Sequence, residues 1–394
     1  MFSSRLPWNA TAALNPLAVA EQARRAAGGE VLDLTISNPT AVGLGVSAET
    51  LAATLAAALA DPTAGRYVPA PLGPPAARAA VAREYARLGA TVDPVHVVLS
   101  ASSSESYAWL FKLLADPGDV VLVPEPSYPL FGYLAGLEAL EQRPYHLRFA
   151  GGEWHLDWSS LDFTGVKAIV TVNPNNPTGS FLRRGEWDRL TALAAEHSIA
   201  VIADEVFADY PLAAPVDGLR TVTAAPSPGA LTFALGGLSK SCGLPQMKLG
   251  WIATLGPDDL VTEALDRLEL IADTFLSVGT PVLAALPRLM VLGTGVRAEI
   301  TARLRKNLDH LAKAMAGTPS TLLPIEGGWS AILRVPSTRT DEQWALSLLE
   351  EDGILVQPGY FFDLRDLGAT LVISLLTPPE ILVEGVSRLL RRLA

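Results

Sequence analysis

Six short apolar runs recur through the middle of the chain, at residues 95–100, 119–124, 168–173, 199–206, 232–238 and 248–255. They are rich in Val and Ile, and several have no polar face, as strands buried on both sides do. Between them, residues 104–115 and 184–197 carry apolar positions at helical spacing. Strand, helix, strand in repetition predicts an α/β fold with a large, mostly parallel central sheet covered on both faces. In such sheets ligands bind just beyond the carboxyl ends of the strands, so those ends are where chemistry is expected.

The last third has a different pattern. Residues 297–316 read as one long helix. Gly327-Gly328-Trp329, an apolar run at 331–335, Pro358-Gly359 and a run at 371–376 before a final helix predict a smaller α+β domain. The N-terminal segment shows strand and turn signals, at 31–36 and Asn38-Pro39, but no core of its own. It is expected to join the C-terminal domain. The expected division is therefore 46–289 for the large domain, and 1–45 with 290–394 for a small domain built from both chain ends.

Composition narrows the function classes. With 394 residues and 49% hydrophobic content the chain can bury a large core. No apolar run approaches the ~18 residues of a membrane span, and Met1 to Trp8 contain no apolar signal-peptide core. The single cysteine, Cys242, excludes an internal disulfide and a multi-cysteine metal centre. A soluble cytoplasmic protein is expected. A formal net charge of −11 without a basic block argues against nucleic acid and anionic membranes as partners.

Three strand ends carry unusual chemistry. After 168–173 comes Asn173-Pro174-Asn175-Asn176-Pro177-Thr178-Gly179, which alone is turn chemistry. After 199–203 comes Asp204-Glu205, and a carboxylate ending a buried strand needs a cation, a metal, or a role as helix cap or core ion pair. After 232–238 comes Ser239-Lys240-Ser241. The chain has only six lysines, 112, 167, 240, 248, 306 and 313, and otherwise uses arginine. Carbonyl chemistry needs a primary amine that can lose its proton, which arginine cannot supply. The bland reading of Lys240 is an exposed loop lysine. A nucleotide-phosphate loop is absent, because Lys240 follows Ser239 rather than Gly. The five histidines are scattered, so no metal site is expected.

In order, Asn-Pro-Thr-Gly, Asp and Ser-Lys, each after a strand, resemble the class I/II aminotransferases, pyridoxal-phosphate (PLP) enzymes of fold type I built like aspartate aminotransferase. The resemblance covers nearly the whole chain. It includes Gly65-Arg66-Tyr67, Pro117-Gly118-Asp119, Pro126-Ser127-Tyr128, Asp204-Glu205-Val206 and Leu249-Gly250-Trp251. It implies transfer of an amino group from an amino acid or related amine to a 2-oxo acid by a ping-pong route. It implies that Lys240 binds PLP as a Schiff base and then shuttles a proton. Asp204 is expected on the pyridinium nitrogen, Asn176 on the ring oxygen and Tyr128 on the ring face. Ser102 and Ser103 at a helix start, with Lys248, are expected around the phosphate. Tyr67 matches a tyrosine that reaches the neighbouring subunit's phosphate, which implies a homodimer with a shared active site.

The family often has Gly where Ser102 stands and usually an arginine where Lys248 stands, and two further positions depart from it. Phe207 replaces a tyrosine that donates to the ring oxygen, so Asn176 must do that work alone. Val372 stands where an arginine usually binds the substrate carboxylate. Arg66, Arg334 and Arg365 are candidates to replace it, and the sequence does not choose among them. Asn38 and Arg365 are carried forward as substrate-binding candidates. Val372 also keeps open a PLP-dependent lyase, decarboxylase or cyclising synthase acting on an unusual amine. A PLP-binding regulator would need a DNA-binding domain, for which there is no room before Val31.

Overall fold

The computed structural model describes residues 2, 3, 5, 15–213, 217–364 and 366–393. Its centre is an eight-stranded sheet. In chain order the strands are β1 (Val97–Ser100), β2 (Val120–Glu125), β3 (Glu141–Ala150), β4 (Glu153–Leu156), β5 (Val166–Val172), β6 (Ala200–Asp204), β7 (Thr232–Gly237) and β8 (Gly250–Leu255). Their order across the sheet is β1-β8-β7-β6-β5-β2-β3-β4. Strands β2, β3, β5, β6 and β7 run parallel, while β8 pairs antiparallel with both β7 and β1. Strand β1 therefore points the same way as the parallel set. Five chain segments, after β1, β2, β5, β6 and β7, leave the sheet at one edge.

The apolar runs form the sheet interior. Strands β1, β2, β6 and β7 are buried on nearly every residue, as strands covered on both faces must be. Strands β3 and β4 were not foreseen. Strand β4 alternates exposed and buried residues and forms the sheet edge, and its neighbour β3 fully buries only Tyr145, so their sequence lacks an apolar run.

The second unit has a four-stranded antiparallel sheet: β9 (Thr321–Leu322), β10 (Ser330–Arg334), β11 (Gln357–Pro358) and β12 (Thr370–Ser374), in the order β9-β10-β12-β11. The N-terminal pair Leu32–Asp33 is parallel to Ile354–Leu355. Leu17, Leu34, Val42 and Leu44 share one apolar core with Leu333, Ile354 and Leu371.

The helix Thr280–Met315 is longer than the sequence pattern indicates, at 36 residues. Its Leu286, Leu289 and Met290 belong to the core of the large sheet, and its Val296, Ile300, Leu304 and Leu311 to the second core. No helix among the described residues is long and apolar enough to cross a membrane.

Candidate active site

The five segments leaving one edge of the sheet surround a cavity of about 270 Å³, closed from above by Thr35, Ser37, Trp329, Ser330, Gln357 and Ser374 of the second unit. Lys240, Asp204, Asn176, Tyr128 and Ser103 all line it.

Asp204 is the last residue of β6. Its Oδ2 accepts from the Tyr107 hydroxyl at 3.0 Å and its Oδ1 from the Val206 N–H at 3.1 Å. Burial nevertheless raises its pKa above the usual carboxylate range. Among the described residues it has no ion-pair partner, and the cation that acts on it is Lys240, on the next strand end.

Lys240 lies on the single helical turn Leu238–Ser241 that ends β7. Burial lowers its pKa to about 8, so its amine is far easier to deprotonate than a surface lysine's. Its Nζ donates to the Ser37 carbonyl at 3.4 Å and lies 4.7 Å from the Trp329 ring centroid. The turn is fixed from below. Tyr210 Oη donates to the Lys240 carbonyl at 2.5 Å, and Arg297 donates to the Ser241 carbonyl at 3.1 Å while pairing with Glu84 at 3.1 Å.

Asn176 sits in the turn after β5. Ser330 Oγ donates to its Oδ1 at 2.9 Å, which fixes the amide and leaves its Nδ2 hydrogens for the cavity. Gly179, at φ +70°, lets this turn meet the second unit: a Cβ there would stand 2.6 Å from the Gly327 carbonyl oxygen. Arg183 and Glu326 form a buried ion pair beside that contact.

Ser102 caps the helix Ser103–Leu114, accepting from the Glu105 N–H at 3.2 Å. The N–H groups of Ser103 and Ser104 have no intrahelical carbonyl to meet. Gly250 of β8 presses on this corner, since a Cβ would lie 2.8 Å from the Ser102 carbonyl carbon and 2.9 Å from the Ser103 nitrogen. The result is a tight anion cradle at a helix start.

Other expected residues are elsewhere. Asn38 is exposed and its side-chain oxygen caps its own turn, accepting from the Thr40 N–H at 3.1 Å and hydroxyl at 2.8 Å. Ser37, not Asn38, reaches the cavity. Lys248 is exposed and outside the lining, held by a left-handed backbone (φ +49°) at the end of a short turn. Tyr67 is 78% exposed and outside its own subunit's cavity. Arg66 and Arg334 are exposed and away from the lining. Arg365 lies outside the described residues.

Tyr107, Ser330, Gln357 and Thr35 were not picked out from the sequence. Tyr107 carries a usable signal, because it falls one helical turn after Ser103, on the same face. Phe207 lines the cavity, and its ring meets Trp329 edge-on at 5.3 Å. It offers no hydroxyl, as its identity requires. Val372 is buried with Trp154, Leu323, Ile332 and Phe362.

The sequence family described as aminotransferase class I and II matches residues 29–388. Tyrosine aminotransferase of Bos taurus is 26% identical over 372 residues, covering 91% of this chain and 81% of that protein. LL-diaminopimelate aminotransferase of Dehalococcoides mccartyi is 28% identical over 381 residues, covering 93% and 92%. The solved structure of an alanine aminotransferase from Pyrococcus furiosus shares the fold at a TM-score of 0.85, with 23% identity over 100% of this chain and 99% of that one. With its sheet, its lysine turn and its family match in agreement, this chain belongs to the aminotransferase class I and II family.

Proposed function

We propose that this aminotransferase holds PLP in the cavity on Lys240 and moves an amino group between an amino acid, or a related amine, and a 2-oxo acid by a ping-pong route. The convergence of Lys240, Asp204 and Asn176 from three neighbouring strand ends carries the reading. The residues fit the cofactor: a carboxylate with no ion-pair partner among the described residues, an amide donor fixed by Ser330, a cradle sealed by Gly250 and an aromatic face at Tyr128.

When bound, PLP supplies an electron sink for the substrate's Cα. Lys240 would hold the cofactor as nucleophile, and its Nζ would serve as the base and acid that moves the proton. Asp204, oriented by Tyr107, would hold the ring nitrogen's proton. Asn176 would donate to the ring oxygen without help from Phe207. Ser103 and Ser104, at the helix start that Ser102 caps, would hold the phosphate. Trp329 and Phe207 exclude water above the lysine.

The exposed pair Tyr67 and Val68, at 78% and 73%, supports a two-fold dimer in which Tyr67 serves the partner's phosphate.

The test is an absorption spectrum of the PLP-loaded protein as single amino acids are added. A band conversion to the amino form of the cofactor, reversed by a 2-oxo acid, is expected. Loss of the amino donor without that reversible conversion would favour the lyase or decarboxylase reading, to which buried Val372 lends its weight.

A further inference from the structure

Among the described residues, Lys240 is the only cation in the cavity lining, and the cofactor takes it. Three of the hydroxyls on the second unit's side are engaged. Ser374 donates to the Ile36 carbonyl at 2.6 Å, Thr35 to Asp33 at 2.6 Å and Ser330 to Asn176 at 2.9 Å. Gln357 differs. It lines the cavity, half-buried, and its carboxamide has no hydrogen-bond partner among the described residues. Its sheet neighbour across β12 is Val372, which packs into an apolar cluster. The indole N–H of Trp329 is also buried without an acceptor.

This wall therefore offers a neutral donor and acceptor beside aromatic surface. A free carboxylate buried against it meets no opposite charge among the described residues and loses its hydration. A carboxamide or hydroxyl meets a matching partner in Gln357.

We propose that Gln357 meets the substrate's head group, and that the enzyme uses amino donors with an uncharged head group, such as amino-acid amides and amino alcohols, at least as well as free amino acids. The inference rests on amino transfer at this site, and it names the substrate class.

The test uses the PLP-loaded enzyme and a panel of amino acids with their carboxamides. The readout is kcat/KM for each acid and its amide with a common 2-oxo acid. The native enzyme is expected to favour the amide or to use acid and amide equally. Gln357→Arg should swing the ratio toward the acid by about a hundredfold, the worth of one charge-assisted bond. Gln357→Ala should lower kcat/KM for amides by about tenfold, mainly through KM, with the cofactor spectrum and Tm unchanged. A native enzyme that favours acids, with that preference intact in Gln357→Ala, overturns the inference and assigns the carboxylate to a cation outside this lining. If neither acids nor amides convert the spectrum, the amino-transfer reading falls, and this inference with it.

Discussion

Burial acts on Lys240 and Glu205 in opposite senses, and both consequences are measurable. For Lys240, burial favours the neutral amine, which is the form that attacks a carbonyl. Lys240→Arg keeps the charge but cannot lose its proton; it should bind PLP only non-covalently, lose activity by ~10³-fold or more, and leave no borohydride-fixed cofactor on the protein. Glu205 lies behind Asp204, where the Val222 N–H at 2.6 Å and the Thr221 hydroxyl at 2.7 Å both donate to it. Burial lifts its pKa to about 8. A carboxyl with a raised folded pKa adds no penalty below its unfolded value, near 4.5, where both states are protonated. As pH rises from there to about 8 the unfolded state ionises first, and stability falls. Glu205→Gln keeps the shape and removes the titration. Urea unfolding from pH 5 to 8 should show a flatter decline in the variant, and an unchanged slope would mean that Glu205 ionises normally. At this scale the strand-end residues that meet in the cavity, Lys240, Asp204 and Asn176, were legible in the sequence because their chemistry is rare at strand ends. Ser330 and Gln357 were not, since a serine or glutamine in a small strand looks like any surface residue until the fold brings it over Asn176 or into the cavity.

The elements that hold the site work by close backbone approach. Gly250 admits β8 to the helix start at Ser102 and Ser103, and no side chain fits between them. Gly250→Ala should push that corner outward and weaken PLP binding by about tenfold or more while the fold survives; equilibrium dialysis of the variant measures it, and native affinity would remove the cradle from the phosphate's path. The buried strands were legible because their apolar runs are continuous. The edge strands β3 and β4 were not, because half of their residues face water. The long helix was read short at its start because Pro287 and the glycines at 293 and 295 resemble breaks. In the structure Gly293 is a contact instead: a Cβ there would stand 2.3 Å from Cys242 Sγ, just past the lysine turn.

For the whole molecule, the proposed shared site makes a sharp forecast. Mixed dimers of Lys240→Ala and Tyr67→Ala subunits contain one site with both native residues. Co-refolding the two weak variants should restore activity, up to about half per heterodimer if the sites act independently. No recovery would place Tyr67 outside the chemistry.

The helix Thr280–Met315 has a consequence for how the protein falls apart. At 36 residues it is about 54 Å long, and it is rooted in both hydrophobic cores. Two cores joined by a loose linker usually melt one after the other. Here neither can lose its packing without stripping half of the same rigid beam, and Arg297, midway along it, is tied by Ser241 to the turn that carries Lys240. Calorimetry should therefore record a single transition for both units, with catalysis lost at the same temperature as the structure.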